Sequence, residues 1–87
     1  MEINIRDVRN KFDELINGTA SREDASEWAQ ILYDNDEKET LTILTENGKH
    51  KEVEVIRDAY LFLLGCDMKN SPNEYLYDIT DILLNKP

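Results

Sequence analysis

The run Ser71-Pro72-Asn73-Glu74-Tyr75-Leu76-Tyr77-Asp78-Ile79-Thr80-Asp81-Ile82 carries the sharpest folding instruction in this chain. Ser-x-x-Glu ahead of an apolar repeat is the signature of a capping box. The Ser71 hydroxyl would accept the N–H of Glu74, and the Glu74 carboxylate would accept the N–H of Ser71. Pro72 falls at the first helical position, where its fixed φ helps and its missing N–H costs nothing. The reading therefore predicts a helix opening at Ser71, with Leu76, Ile79 and Leu83 on its buried face and Tyr75 and Ile82 beside them. Glu74, Tyr77, Asp78 and Asp81 recur at i, i+3, i+4 and i+7, which places three carboxylates and a tyrosine on one opposite strip.

Three further segments carry helical patterning. Asn4 is an N-cap candidate, with Ile3 outside it and Val8 at the fourth helical position as a hydrophobic staple. Ile5, Val8, Phe12, Leu15 and Ile16 continue that face, and Asn17-Gly18 closes it. Ser21 caps a second helix with acids in its first turn, where the helix dipole favours them. Ala25, Trp28, Ala29 and Leu32 form the buried stripe of that helix, with Trp28 read as a core anchor. A third helix runs from about Glu52 or Val55 to Leu64 and stops at Gly65. Late in that helix the apolar residues go nearly all the way round, as in the central helix of a bundle or one with a second partner surface.

Residues 40–55 are ambiguous. Thr40–Thr45 is rich in β-branched residues, Asn47-Gly48 is a turn signal, and Val53 and Val55 follow. A two-residue loop would set Ile43 and Leu41 against acids. A three-residue loop over Glu46-Asn47-Gly48 pairs Leu41 with Val53 and keeps one face apolar. The hairpin is preferred to a short helix through Leu41 and Leu44. The expected architecture is mainly α: a single-domain bundle of about four helices over residues 1–87, with a short β-hairpin in 40–55.

Charge narrows the function classes. Nineteen acids against ten bases give a net charge of −9. Such a field repels phosphate backbones and anionic membranes and attracts basic proteins. Residues 21–39 alone hold seven acids (Glu23, Asp24, Glu27, Asp34, Asp36, Glu37, Glu39) and two bases, a net of −5. The run Asp34–Glu39 is not a calcium loop: Lys38 and Glu39 stand where a ligand and a glycine are needed, and Thr45 stands where a bidentate acid is needed.

Catalytic, metal and cofactor roles find no support either. The single histidine, His50, lies in a charged Lys-His-Lys turn, and one cysteine with one histidine is too few for zinc. Cys66 has no base near it in sequence and is expected to be buried rather than reactive. The three glycines each fall at an element end, so no phosphate loop is formed. Met1–Asp7 has no apolar core of a leader and no run approaches a membrane span. The chain is therefore expected in the cytoplasm, without nucleic acid or membrane as partner.

Three blocks carry a resemblance: Ser21-Arg22-Glu23-Asp24-Ala25-Ser26-Glu27-Trp28-Ala29, Leu64-Gly65-Cys66-Asp67-Met68, and Ser71-Pro72-Asn73-Glu74-Tyr75-Leu76-Tyr77-Asp78-Ile79. They resemble the S-R-E-E-A-x-x-W-A, L-x-G-x-D-L and S-P-x-E-Y-L-H blocks of small acidic bacterial proteins similar to the immunity proteins of secreted toxin systems. Tyr77 replaces the usual histidine, and Thr40–Val55 departs from the shorter connection of that pattern. The resemblance implies an inhibitor of a cognate toxin domain, and charge implies that this partner is basic, as a nuclease would be. Two acidic faces are the expected contact: Glu23, Glu27, Asp34, Asp36, Glu37 and Glu39 along the second helix and its exit, and Glu74, Tyr77, Asp78 and Asp81 on the last helix. The alternative is an interaction module that self-associates or docks through the apolar third helix.

Overall fold

A computed structural model of the protein describes residues 1–46 and 50–87. Among these residues the chain forms four α-helices, α1 (Ile5–Asn17), α2 (Arg22–Glu37), α3 (His50–Leu64) and α4 (Ile79–Asn85). Short strands join them: β1 (Glu2–Ile3), β2 (Thr42–Ile43), β3 (Lys69–Ser71) and β4 (Glu74–Tyr75). The mainly helical architecture expected from the patterning is the one observed.

The first two helices start where their caps place them. The Asn4 side chain accepts the Asp7 N–H while the Asp7 carboxylate accepts the Asn4 N–H, at 3.0 and 2.9 Å. Ser21 and Asp24 form the same reciprocal pair at the start of α2. Ile3 and Val8, the expected staple, are both buried. Gly18 ends α1 at φ 79, with the Thr19 N–H donating back to the Glu14 carbonyl and the Gly18 N–H to that of Leu15.

Helix α2 ends in the same geometry without a glycine. Glu39 adopts φ 59 while the Thr40 N–H donates to the Asn35 carbonyl and the Glu39 N–H to that of Asp36. A β-carbon in the left-handed region costs roughly 1 kcal/mol relative to glycine. Glu39→Gly is thus expected to stabilise the fold by about 0.5–1 kcal/mol in urea denaturation, since it relieves that strain.

The core gathers one stripe from each long helix. Val8 and Phe12 of α1, Ala25, Ala29 and Leu32 of α2, and Ile56 and Leu63 of α3 have no exposed surface. The alanines at 25 and 29 lie four apart on α2, so α3 can approach closely along that line. Helix α3 packs on both α2 and α1, as its apolar character predicted for a central helix. Trp28 is only half-buried, at the edge of the core rather than its anchor.

Two expectations are corrected. The first is the hairpin in 40–55. Thr42–Ile43 is a strand, but it pairs in parallel with β1, Glu2 against Thr42 and Ile3 against Ile43. Val53 and Val55 belong to α3. The Asn47-Gly48 turn lies outside the described residues. Pairing with β1 ties Ile43 to the buried Ile3, an apolar partner that a hairpin with the acid-rich 51–55 segment offers only in one register.

The second correction concerns the helix opening at Ser71. Pro72-Asn73 is instead the turn of a β3–β4 hairpin, with Ser71 opposite Glu74 and a register shift between Lys69 and Ser71. Proline's fixed φ suits the first central position of such a turn as well as it suits a helix start. Helix α4 opens seven residues later, where Asp78 and Asp81 form the capping box at 3.0 Å in both directions. Burial alternates over Tyr75–Asp78, half-buried at Tyr75 and Tyr77 and exposed at Leu76 and Asp78, which is a strand-like period of two. Leu76, Ile79 and Leu83 are exposed rather than core, and Ile82 alone of α4 is buried. Helix α4 packs on α1. It follows that Asp78→Ala should cost about 1 kcal/mol by loss of the cap, whereas Ser71→Ala should change the melting temperature by less than its error.

Candidate partner-binding face

The acidic residues of α2 divide by direction. Ala25, Ala29 and Leu32 define its inner face. Glu23, Glu27 and Asp34, at i, i+4 and i+11, point the opposite way and are all exposed. Gln30 and Ile31 lie within the same outer strip, and the Gln30 amide donates to Asp34 at 2.9 Å. Ile31 is 51% exposed, so an apolar side chain stands free among carboxylates. Glu37 and Glu39 continue the acidic surface at the exit of the helix.

Asp36 does not belong to that face. It turns inward to α3, where Arg57 donates to both of its oxygens at 3.0 and 3.1 Å and the Tyr60 hydroxyl donates to one of them. The Arg57 hydrogen bonds hold its carboxyl below the usual range, and burial together with Asp36 pushes the Tyr60 phenol well above its own. A carboxyl whose folded pKa is depressed stabilises the native state above its unfolded value and loses that contribution as pH falls through the folded value. Stability should therefore decline below about pH 4 in the wild type, and the slope should be shallower in Asp36→Asn when urea midpoints are compared across pH.

The strip predicted on the last helix does not form. Glu74 is exposed on β4 and Tyr77 lies in the extended segment, its ring 5.0 Å from that of Phe62. Asp78 and Asp81 spend their carboxylates on the cap of α4. Tyr77 is a packing residue, which removes the aromatic anchor expected beside those acids.

Arg22 and Tyr75, which the sequence pattern does not bring together, organise this end of the molecule. The Arg22 guanidinium donates to the Cys66 carbonyl at 3.2 Å and the Tyr77 carbonyl at 2.6 Å. It also stacks over the Tyr75 ring at 4.3 Å. Tyr75 in turn donates its hydroxyl to Glu23 at 2.9 Å. A hydrogen bond from its own backbone N–H, and then this hydroxyl, hold the Glu23 carboxyl below its usual range. The β3–β4 hairpin is thereby fastened to the first turn of α2, beside the acidic strip. No motif announces this: an arginine at the first helical position reads as an ordinary surface cation.

Among the described residues no other chemistry converges. Cys66 is fully buried, its thiol donating to the Arg22 carbonyl at 3.4 Å, and burial pushes its pKa up to about 11. The thiol should resist alkylation at neutral pH until the protein is unfolded, which a timed reaction with a thiol reagent with and without urea would read. His50 is exposed at the start of α3. Among the described residues no three His, Cys, Asp or Glu side chains gather to hold a metal ion, and no helix is long and apolar enough to cross a membrane.

No family model and no solved structure matches the chain. The uncharacterized protein YxzC of Bacillus subtilis is 28% identical over 81 residues, which take in 93% of this chain. The chain spans 57% of the length of that relative, so the likeness is one of sequence over a little more than half of a longer Bacillus protein.

Proposed function

We propose that the protein is an immunity-type inhibitor that binds a cationic toxin domain in the cytoplasm through the outer face of α2. The observation that carries this reading is the strip Glu23, Glu27 and Asp34, exposed along one helix face, while Asp36 of the same helix is committed to Arg57 and Tyr60 of α3. A groove built to hold phosphates with Lys and Arg would accept such a row of carboxylates without detailed mimicry of nucleic acid, and a nuclease is the kind of toxin it suits best. Glu37 and Glu39 extend the field, and Ile31 is the apolar side chain placed to anchor the contact. The resemblance of the Ser21–Ala29 block to immunity proteins supports the same reading.

A second reading rests on exposed apolar residues. Val55 and Leu61 of α3 are 41% and 46% exposed, and Leu83 and Leu84 of α4 are 53% and 78% exposed. These would serve a module that docks or self-associates through an apolar surface. Salt separates the two. Association through the α2 face should slow markedly between low and physiological ionic strength, whereas an apolar contact should hold or tighten. Stopped-flow association with the cationic partner at two salt concentrations is the test, and a salt-independent rate would rule out the electrostatic reading.

A further inference from the structure

Beside Trp28 the surface opens into a cleft of about 380 Å³ between β1, α1 and α2. Its walls carry Glu2 from β1 and Asp7, Asn10, Lys11 and Glu14 along one strip of α1. Trp28, the single tryptophan of the chain, closes one side and is half-buried. The Lys11 ammonium sits 5.4 Å from the indole centroid and 3.5 Å from the Glu14 carboxylate. The cleft therefore already holds a cation against an aromatic face, supplied by the protein itself.

We infer that this cleft takes an arginine side chain presented by the partner protein, stacked on Trp28 and held by the carboxylates of Glu2 and Glu14. The inference rests on the reading above that the partner is a cationic protein. The volume lies at the lower end of the roughly 300–1,000 Å³ of small-ligand sites, enough for one side chain and too little for a helix. A guanidinium is planar, weakly hydrated and carries five donors, so it can stack on an indole and reach two carboxylates together, which an ammonium does less well. Glu2 and Glu14 are the acids available for this. Asp7 is held by the cap of α1, where it accepts the Asn4 N–H. Lys11 competes with the incoming cation for both Trp28 and Glu14.

The test uses the sole tryptophan as its own reporter. The full chain is titrated with a tetra-arginine amide peptide and with its tetra-citrulline counterpart, and Trp28 emission is followed. The expected result is a saturable change with the arginine peptide and none with the citrulline peptide. The variant Glu2→Gln/Glu14→Gln should weaken that binding by about fivefold, given two exposed charge contacts. Glu54→Gln/Asp58→Asn, which removes the same charge from α3, should leave it within a factor of two, roughly the scale of one weak exposed pair. Lys11→Gln should tighten binding more than Lys38→Gln does. No emission change, or equal weakening by the two double variants, would overturn the cleft as a site and leave only a general acidic field. A failure here, with association to the toxin domain still governed by the α2 face, removes the cleft and not the proposed function.

Discussion

Phe12→Ala lowers the stability of this domain by about 3–5 kcal/mol, the largest loss expected from any single side chain. Phe12 has no exposed surface and sits where the stripes of α1, α2 and α3 meet. Its ring stacks on Phe62 at 6.0 Å and 17°, and Phe62 in turn meets Tyr77. Removing it therefore opens a cavity under α3 and loosens the support of the extended segment before α4. A domain of this size has a total stability on the order of 4–13 kcal/mol, so the loss removes from about a quarter of it to all of it. Urea denaturation followed by far-ultraviolet circular dichroism reads the change directly. A loss below about 1 kcal/mol would mean that the ring can be replaced by local collapse and that the core is less tightly determined than its burial implies.

Charge reversal on the outer face of α2 is expected to have the largest effect on function. Glu27→Lys/Asp34→Lys should slow association with a cationic partner by about 10–100-fold at low salt, with a much smaller effect at high salt and little change in the dissociation rate. Both side chains are exposed, and neither caps a helix, so the variant should keep its fold. Asp36 must be left out of such a set. Reversing it places a lysine against Arg57 and leaves Tyr60 without its acceptor, so any loss of binding would be confounded with loss of structure. Surface plasmon resonance at two ionic strengths separates the rates. An unchanged association rate would remove the α2 face from the interface.

The helices were legible where a cap and an apolar stripe agree. Asn4 with Val8, and Ser21 with Ala25 and Leu32, set the start and the inner face of α1 and α2 from local chemistry alone. The segment from 69 to 85 misled because two capping boxes compete there, Ser71 with Glu74 and Asp78 with Asp81. The second prevails once tertiary contacts are counted: the extended path lets Arg22 reach the Tyr77 carbonyl, Tyr75 reach Glu23 and Tyr77 reach Phe62. None of those contacts is local, and no periodicity records them. The parallel pairing of β1 with β2 was hidden for the same reason, since two residues on each side leave no alternating pattern to read. The acidic face was half legible. Helical spacing puts Glu23, Glu27 and Asp34 on one side and Asp36, four residues beyond Leu32, on the other, but only packing against α3 reveals the Arg57 and Tyr60 partners that occupy Asp36 there.

The most direct measurement is the growth of cells that co-express this chain with the C-terminal domain of any secreted protein encoded immediately beside it. If the chain is an immunity-type inhibitor, that domain alone is toxic and cationic, co-expression restores growth, and Glu27→Lys/Asp34→Lys restores it less well. If no such neighbour exists, or if the domain stays toxic while the chain is present and folded, the protein is not an immunity-type inhibitor.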